Sequence, residues 1–327
     1  DQNNIPGRFL LTGSSTPTSL PSHSGAGRIA SIDMGPMSLA ESRDSTAEVS
    51  LAALFDGEIA CVGHSECDIE DIAYLICRGG WPRAVTASDK DAALEMAFDY
   101  ITTIAEQDIS RTDGVTRNPQ YARLILREYA RLTSSQATQS TIIKDFKARD
   151  IDLSKDTVNG YLAALRRLYV IQELSAWTPT LRAKSRITKT PTRHFACPSI
   201  AAAALGASPK SLVLDTATLG LLFESLCVRD LRAYAQASSG EVFHYHDETG
   251  READAVVQLR DGRYALFEMK LGASLVDEGA ASLVRLREKL DTNAIGEPAF
   301  CAVLTPGGFA TRREDGIFVI PITCLTA

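Results

Sequence analysis

Residues 241–272 bring two carboxylates and a lysine to spacings that suit hydrolysis of a phosphodiester. Asp254 lies on one strand-like segment, and Glu268 and Lys270 lie two apart on the next. With a period of two, Ala253, Ala255, Val257 and Leu259 take one face of the first segment and leave Asp254 on the other with Glu252, Val256 and Gln258. In the second, Ala265, Phe267, Met269 and Leu271 oppose Tyr264, Leu266, Glu268 and Lys270. Each strand is thus expected to have one core face, with Asp254, Glu268 and Lys270 together on the opposite one. Carboxylate oxygens hold hard divalent cations such as Mg²⁺, and a lysine can orient water or stabilise charge developing on phosphorus. His244 and His246, on one face of the preceding strand, read as packed or solvated side chains rather than ligands.

The elements that must position these groups follow from the same pattern. A strand at 241–245, a turn at 247–250 and two strands flanking Asp261-Gly262 form a three-stranded meander. A two-residue Asp261-Gly262 loop would set Asp254 against Met269, because a one-residue slip reverses every side chain. The core pattern and a shared metal both demand an odd-numbered loop. A loop of Arg260-Asp261-Gly262, with Gly262 left-handed, sets Asp254 opposite Glu268. A loop of Asp261-Gly262-Arg263 sets Asp254 opposite Lys270, with Glu268 diagonal. Upstream, a long helix within 211–235 has its apolar stripe at Leu219, Leu222, Phe223, Leu226 and Tyr234. Glu224 lies off that stripe but shares a row with Val228 and Leu231, so it can reach toward the sheet.

Asp254 followed by Glu268-Met269-Lys270, after a helix carrying Glu224, resembles the PD-(D/E)XK nuclease-like superfamily. From Arg8-Phe9-Leu10-Leu11-Thr12-Gly13-Ser14 onward, nearly the whole chain is similar to bacterial AAA-type ATPases whose C-terminal domain is of unknown function and nuclease-like fold. The resemblance implies a multidomain α/β protein. Residues 1–60 would be the end of an ATPase domain, 61–116 a helical linker or lid, 117–192 a winged helix-turn-helix, and 193–327 the nuclease-like domain. It implies Mg²⁺ ligation by Glu224, Asp254 and Glu268, with Lys270 catalytic, and a nucleotide-phosphate contact at Arg28. Cys197, before Pro198, stands where the family usually has an aspartate, which counts against activity.

The phosphate loop G-x-x-x-x-G-K-[ST] occurs nowhere in the sequence. ATP is therefore expected only in an intact homologue that carries that loop, as is assembly through the ATPase domain. The opening at Asp1, moving at once into Phe9-Leu10-Leu11, reads as a start inside a domain, and residues 8–15 read as a buried strand.

The net charge of −7 argues against indiscriminate polyanion binding, but the charge is uneven. Residues 117–193 hold fifteen Lys and Arg against six Asp and Glu, so nucleic-acid contact is expected to start there. Helices are expected at 119–132, 141–147 and 154–168, with Asn118 and Ser154 as caps and Pro119 at a first position. A β-wing follows through Trp177. Lys155, Asn159, Arg166 and Arg167 on the third helix are the candidate nucleic-acid contacts, with Arg182, Lys184, Arg186, Lys189 and Arg193 continuing the basic character beyond. The alternative is a catalytically inactive DNA-binding or regulatory adaptor.

Seven scattered cysteines, odd in number, suit reduced thiols in a cytoplasmic protein. Cys61, His64, Cys67 and Cys77 match no standard zinc spacing. No apolar run is long enough to span a membrane. Further helices are expected at 68–78, stopped by Gly79-Gly80-Trp81-Pro82, at 92–109, at 201–205 and at 277–290, with strands at 299–304 and 316–321.

Overall fold

A computed structural model describes residues 10–13, 30, 32–57, 61–151, 153–179 and 190–327. In chain order the elements begin with β1 (Val49–Ser50), α1 (Leu51–Phe55), β2 (Gly63–Ser65), α2 (Ile69–Arg78) and α3 (Pro82–Val85). They continue with α4 (Lys90–Thr103), a π-helical turn, α5 (Ile109–Arg111), α6 (Pro119–Arg131), α7 (Gln139–Lys147) and α8 (Lys155–Arg167). After α9 (Pro198–Leu205), α10 (Pro209–Leu214) and α11 (Thr216–Ala237) come β3 (Gly240–His246), β4 (Glu252–Leu259) and β5 (Tyr264–Met269). The chain closes with α12 (Val276–Lys289), α13 (Thr292–Ile295), β6 (Phe300–Thr305), β7 (Gly308–Arg312), β8 (Phe318–Pro321) and β9 (Leu325–Thr326).

The helices start where local chemistry satisfies their first amides. Asp68 and Asp71 form a reciprocal capping box at α2, while Asn118 accepts from Gln120 and Ser154 from Thr157. Asp215 ends α10 and caps α11, which is the long helix expected within 211–235. Gly79 and Gly80 do more than stop α2. A Cβ on Gly80 would stand 2.1 Å from the Met37 carbonyl oxygen, and one on Gly79 would be 2.4 Å from Ser199 Oγ. These glycines let residues 37–38 and the start of α9 pack directly on the chain.

A seven-stranded sheet runs β2-β7-β8-β6-β5-β4-β3. The β3-β4-β5 meander is antiparallel, and β5, β6 and β8 are parallel. β2 is added at the far edge from a position before all the long helices, and β1 pairs in parallel with β9. The β4–β5 ladder pairs Ala255 with Phe267 and Gln258 with Tyr264, which makes Arg260-Asp261-Gly262 the loop. Gly262 has φ +95°, in the left-handed region. This is the three-residue register; its ladder ends at Ala255 and Phe267, and Asp254 and Glu268 are the next residues along the two strands.

Three expectations are corrected. Both sheet faces are buried: Ala255, Val257, Ala265 and Phe267 pack with α11 in one apolar cluster, and Val256, Tyr264 and Leu266 pack with α12 in a second. A helix crossing supplies the second cover, so the face carrying Glu268 is a core face too. Where strands were expected through Trp177, the structure has isolated bridges Ile171–Phe195 and Leu174–Thr192, with Gln172 N–H donating to His194 O. Of the strand expected at 8–15, the described residues 10–13 form none, with Leu10 and Leu11 91% and 84% exposed, and the rest of that span lies outside the described residues. Four short strands, β1, β2, β7 and β9, went unread in the sequence. The larger apolar cluster runs from Leu39 through the helices to Leu325.

Candidate functional site

Asp254 owes its position to an irregularity. Phe243 pairs with Val256 but Tyr245 pairs with Ala253, so Asp254 and Ala255 together face His244 in a β-bulge. His244 spends its own amide and carbonyl on Ser175 O and Trp177 N. The bulge takes Asp254 out of strict alternation, and its Oδ2 accepts from Met269 N–H at 2.7 Å, beside Glu268 on the neighbouring strand. Sequence alternation alone carried no signal of this, since it depends on the partner strand.

Glu268 is only 2% exposed, and both of its carboxylate oxygens are engaged. Oε2 pairs with Lys270 Nζ at 3.0 Å, and Oε1 accepts from Ser282 Oγ at 3.4 Å on α12. Burial and the charge of Asp254 push the Glu268 carboxyl up to about 8, against the pull of Lys270. Burial likewise pushes Asp254 up to about 6, against the Met269 amide and Lys270. Glu224, half-buried on α11, is held well above the usual carboxylate range by burial and by Asp254 and Glu268. Burial opposes the charge on Lys270, but Glu268, Asp254 and Glu278 outweigh it and raise the ammonium's affinity for its proton.

Glu224 rises from the helix covering one sheet face, while Glu268 and Lys270 turn toward the helix covering the other. Among the described residues, no group of three or more His, Cys, Asp and Glu side chains stands ready to hold one metal ion. The structure thus brings Asp254, Glu268 and Lys270 together and leaves Glu224 as an electrostatic neighbour. The donor chemistry suits a hard divalent cation: buried oxygen ligands that repel one another would be relieved by added positive charge.

The nucleic-acid candidates are less uniform. Lys155 is exposed at the start of α8, and Asn159 is half-buried with an unpartnered Oδ1. Arg166 makes a two-pronged pair with Glu173 at 3.1 and 2.7 Å, and Arg167 reaches Asp113 at 3.4 Å. Arg28, Arg182, Lys184, Arg186 and Lys189 lie outside the described residues. Cys197 is buried at the cap of α9, 3.8 Å from Arg229 Nη1. Sequence reasoning missed Ser282 and the bulge, and also the buried Arg229–Asp230 pair, whose carboxylate accepts from Leu39 N–H at 2.9 Å.

Residues 219–325 match a domain of unknown function, DUF4143. A second domain of unknown function, DUF8612, matches residues 69–211. The interval between the two matches contains Asp215, at the break between α10 and α11, and every candidate carboxylate falls in the C-terminal match. The chain is also similar to the uncharacterized proteins Rv2008c of Mycobacterium tuberculosis and Mb2031c of Mycobacterium bovis, each 24% identical over 97% of this chain. It spans 62% of the length of those relatives. No solved structure matches.

Proposed function

We propose that the C-terminal α/β unit is a PD-(D/E)XK nuclease-like domain that cleaves phosphodiester bonds in nucleic acid with Mg²⁺. The observation that carries this reading is the bulge in the β3–β4 ladder together with the three-residue β4–β5 hairpin, which sets Asp254 beside Glu268 and Lys270 with Asp254 half-buried and Glu268 buried. The order of a glutamate-bearing helix, a meander, a covering helix and parallel strands supports it. Asp254 and Glu268 would hold the cation through oxygen, with Glu224 adding negative charge from α11. The bound ion would polarise a phosphoryl oxygen and lower the pKa of attacking water. Lys270 would then part from Glu268 and face the scissile phosphate.

The helices α6–α8, followed by the paired segments 170–174 and 192–196, suit a winged helix-turn-helix that recruits nucleic acid. Residues 1–60 would be the end of an AAA-type ATPase domain, so that ATP would act only on an intact protein that carries the phosphate loop. A second reading, an inactive DNA-binding or regulatory adaptor, draws on the closed Glu268–Lys270 pair and on the Asp254 carboxylate's bond to a backbone amide. Cleavage of single- and double-stranded DNA and RNA with Mg²⁺ or Mn²⁺ separates the two. The nuclease reading expects activity that Glu268→Ala and Lys270→Ala each abolish. Absence of cleavage on all four substrates, or activity unchanged in both variants, refutes it.

A further inference from the structure

We propose that α12 positions the Glu268–Lys270 pair, with Gly279 as the seat of the Lys270 stem and Ser282 as the hold on Glu268. This rests on the nuclease reading for its meaning, because it assigns residues that set where the lysine ammonium stands.

A Cβ built on Gly279 would lie 3.1 Å from both Cγ and Cε of Lys270, and 3.4 Å from Val303 Cγ2. Two carbons of one side chain at the same short distance mean that the stem lies flat across the helix at this position. Val303 is at ordinary contact distance, so the tight neighbour is the lysine. Gly279 sits inside α12, where glycine is unfavourable relative to alanine, and no left-handed φ accounts for it. Three residues on, Ser282 Oγ donates to Glu268 Oε1. Positions three apart share a helix face, so one face of α12 carries both contacts. Lys270 thus meets Glu268 at 3.0 Å with its stem seated on one turn of α12 and its partner held by the next.

The test is Gly279→Ala in the full chain, made both with Lys270 intact and in a Lys270→Ala background. The readouts are thermal unfolding and trace acetylation of lysines followed by mass spectrometry, with Lys210 and Lys289 as internal references. With Lys270 intact, the added methyl should displace the stem, lower Tm, and raise the acetylation of Lys270 relative to Lys210 and Lys289 by about threefold at one fixed pH, as the amine leaves its carboxylate partner. In the Lys270→Ala background the same substitution should leave Tm unchanged or raise it, since helix propensity then acts alone. Equal Tm losses in both backgrounds would assign Gly279 to packing against Val303 and overturn the proposal, as would unchanged Lys270 labelling. If Gly279→Ala does not fold, folding of the double variant supports the proposal and its failure to fold overturns it. None of these readouts needs cleavage, so the nuclease reading stands or falls separately.

Discussion

Replacing Glu268 by glutamine should remove a pH dependence of stability that the wild-type fold carries between about pH 4.5 and 8. Below that window the carboxyl is protonated whether the chain is folded or not, and its burial costs nothing extra. As pH rises, the unfolded chain gives up the proton first, while burial and Asp254 make the folded chain keep it to about 8. The folded state then binds one proton more than the unfolded, so the free energy of unfolding falls by about 1.4 kcal/mol per pH unit. Across the window this sums to roughly 5 kcal/mol, comparable with the whole stability of many domains. Asp254 adds a loss of the same sign between 3.8 and about 6 in both proteins. The glutamine amide stays neutral and keeps an oxygen for Ser282, and below about pH 8 the folded wild-type carboxyl that it replaces is mostly neutral too. The two proteins should therefore be closest at the acidic end, with the difference moving toward the variant by several kcal/mol as pH rises. Urea unfolding of both proteins in half-unit steps from about pH 4.5 to 8.5 measures this. Parallel stability curves would refute the assignment of a buried, high-affinity proton to Glu268.

Three further outcomes are expected. Asp230→Ala leaves the buried Arg229 guanidinium without its carboxylate and removes the acceptor for Leu39 N–H, so chemical unfolding should show a loss of about 3–5 kcal/mol. Gly80→Ala should cost about 1–3 kcal/mol or more by the same measurement, because its Cβ would overlap the Met37 carbonyl. If the helical unit binds duplex DNA, affinity should fall steeply with salt, and Lys155→Ala should weaken it and flatten the salt dependence measured by fluorescence anisotropy. Arg166→Ala, by contrast, should act chiefly through stability, since its guanidinium is already spent on Glu173.

What the sequence made legible was what local rules control. Asn118 and Ser154 cap because short polar side chains reach nearby amides. The odd hairpin loop followed from requiring Ala255, Val257, Ala265 and Phe267 to share a core face, a constraint that a single slip would violate. The unread parts depend on distant partners. Gly63, His64 and Ser65 form a strand only because Gly308, Phe309 and Ala310 lie beside them. The bulge at Asp254 is set by the register of β3, and the α12 cover makes the face opposite the expected core a second core. Charge counting found the basic segment at 117–193 but could not show that Glu173 and Asp113 would claim Arg166 and Arg167.

The pairing of β2 with β7 has a practical consequence for dissecting the chain. The sheet that bears the candidate carboxylates is discontinuous in sequence, with the long helices inserted between its outermost strand and the rest. A truncation beginning at residue 193 would remove β2 and strip Gly308, Phe309 and Ala310 of their hydrogen-bonding neighbour. Phe309 is already 69% exposed and stacked on the His64 ring at 4.3 Å, so both the edge and its aromatic cover would be lost together. Such a bare edge invites pairing between copies. Insolubility of that truncated piece would therefore report partners taken away, β2 at the edge and the helices that share the larger apolar cluster with α9 and α11, rather than a sheet unable to form, and a form of the chain that keeps both is the one in which to study the carboxylate unit.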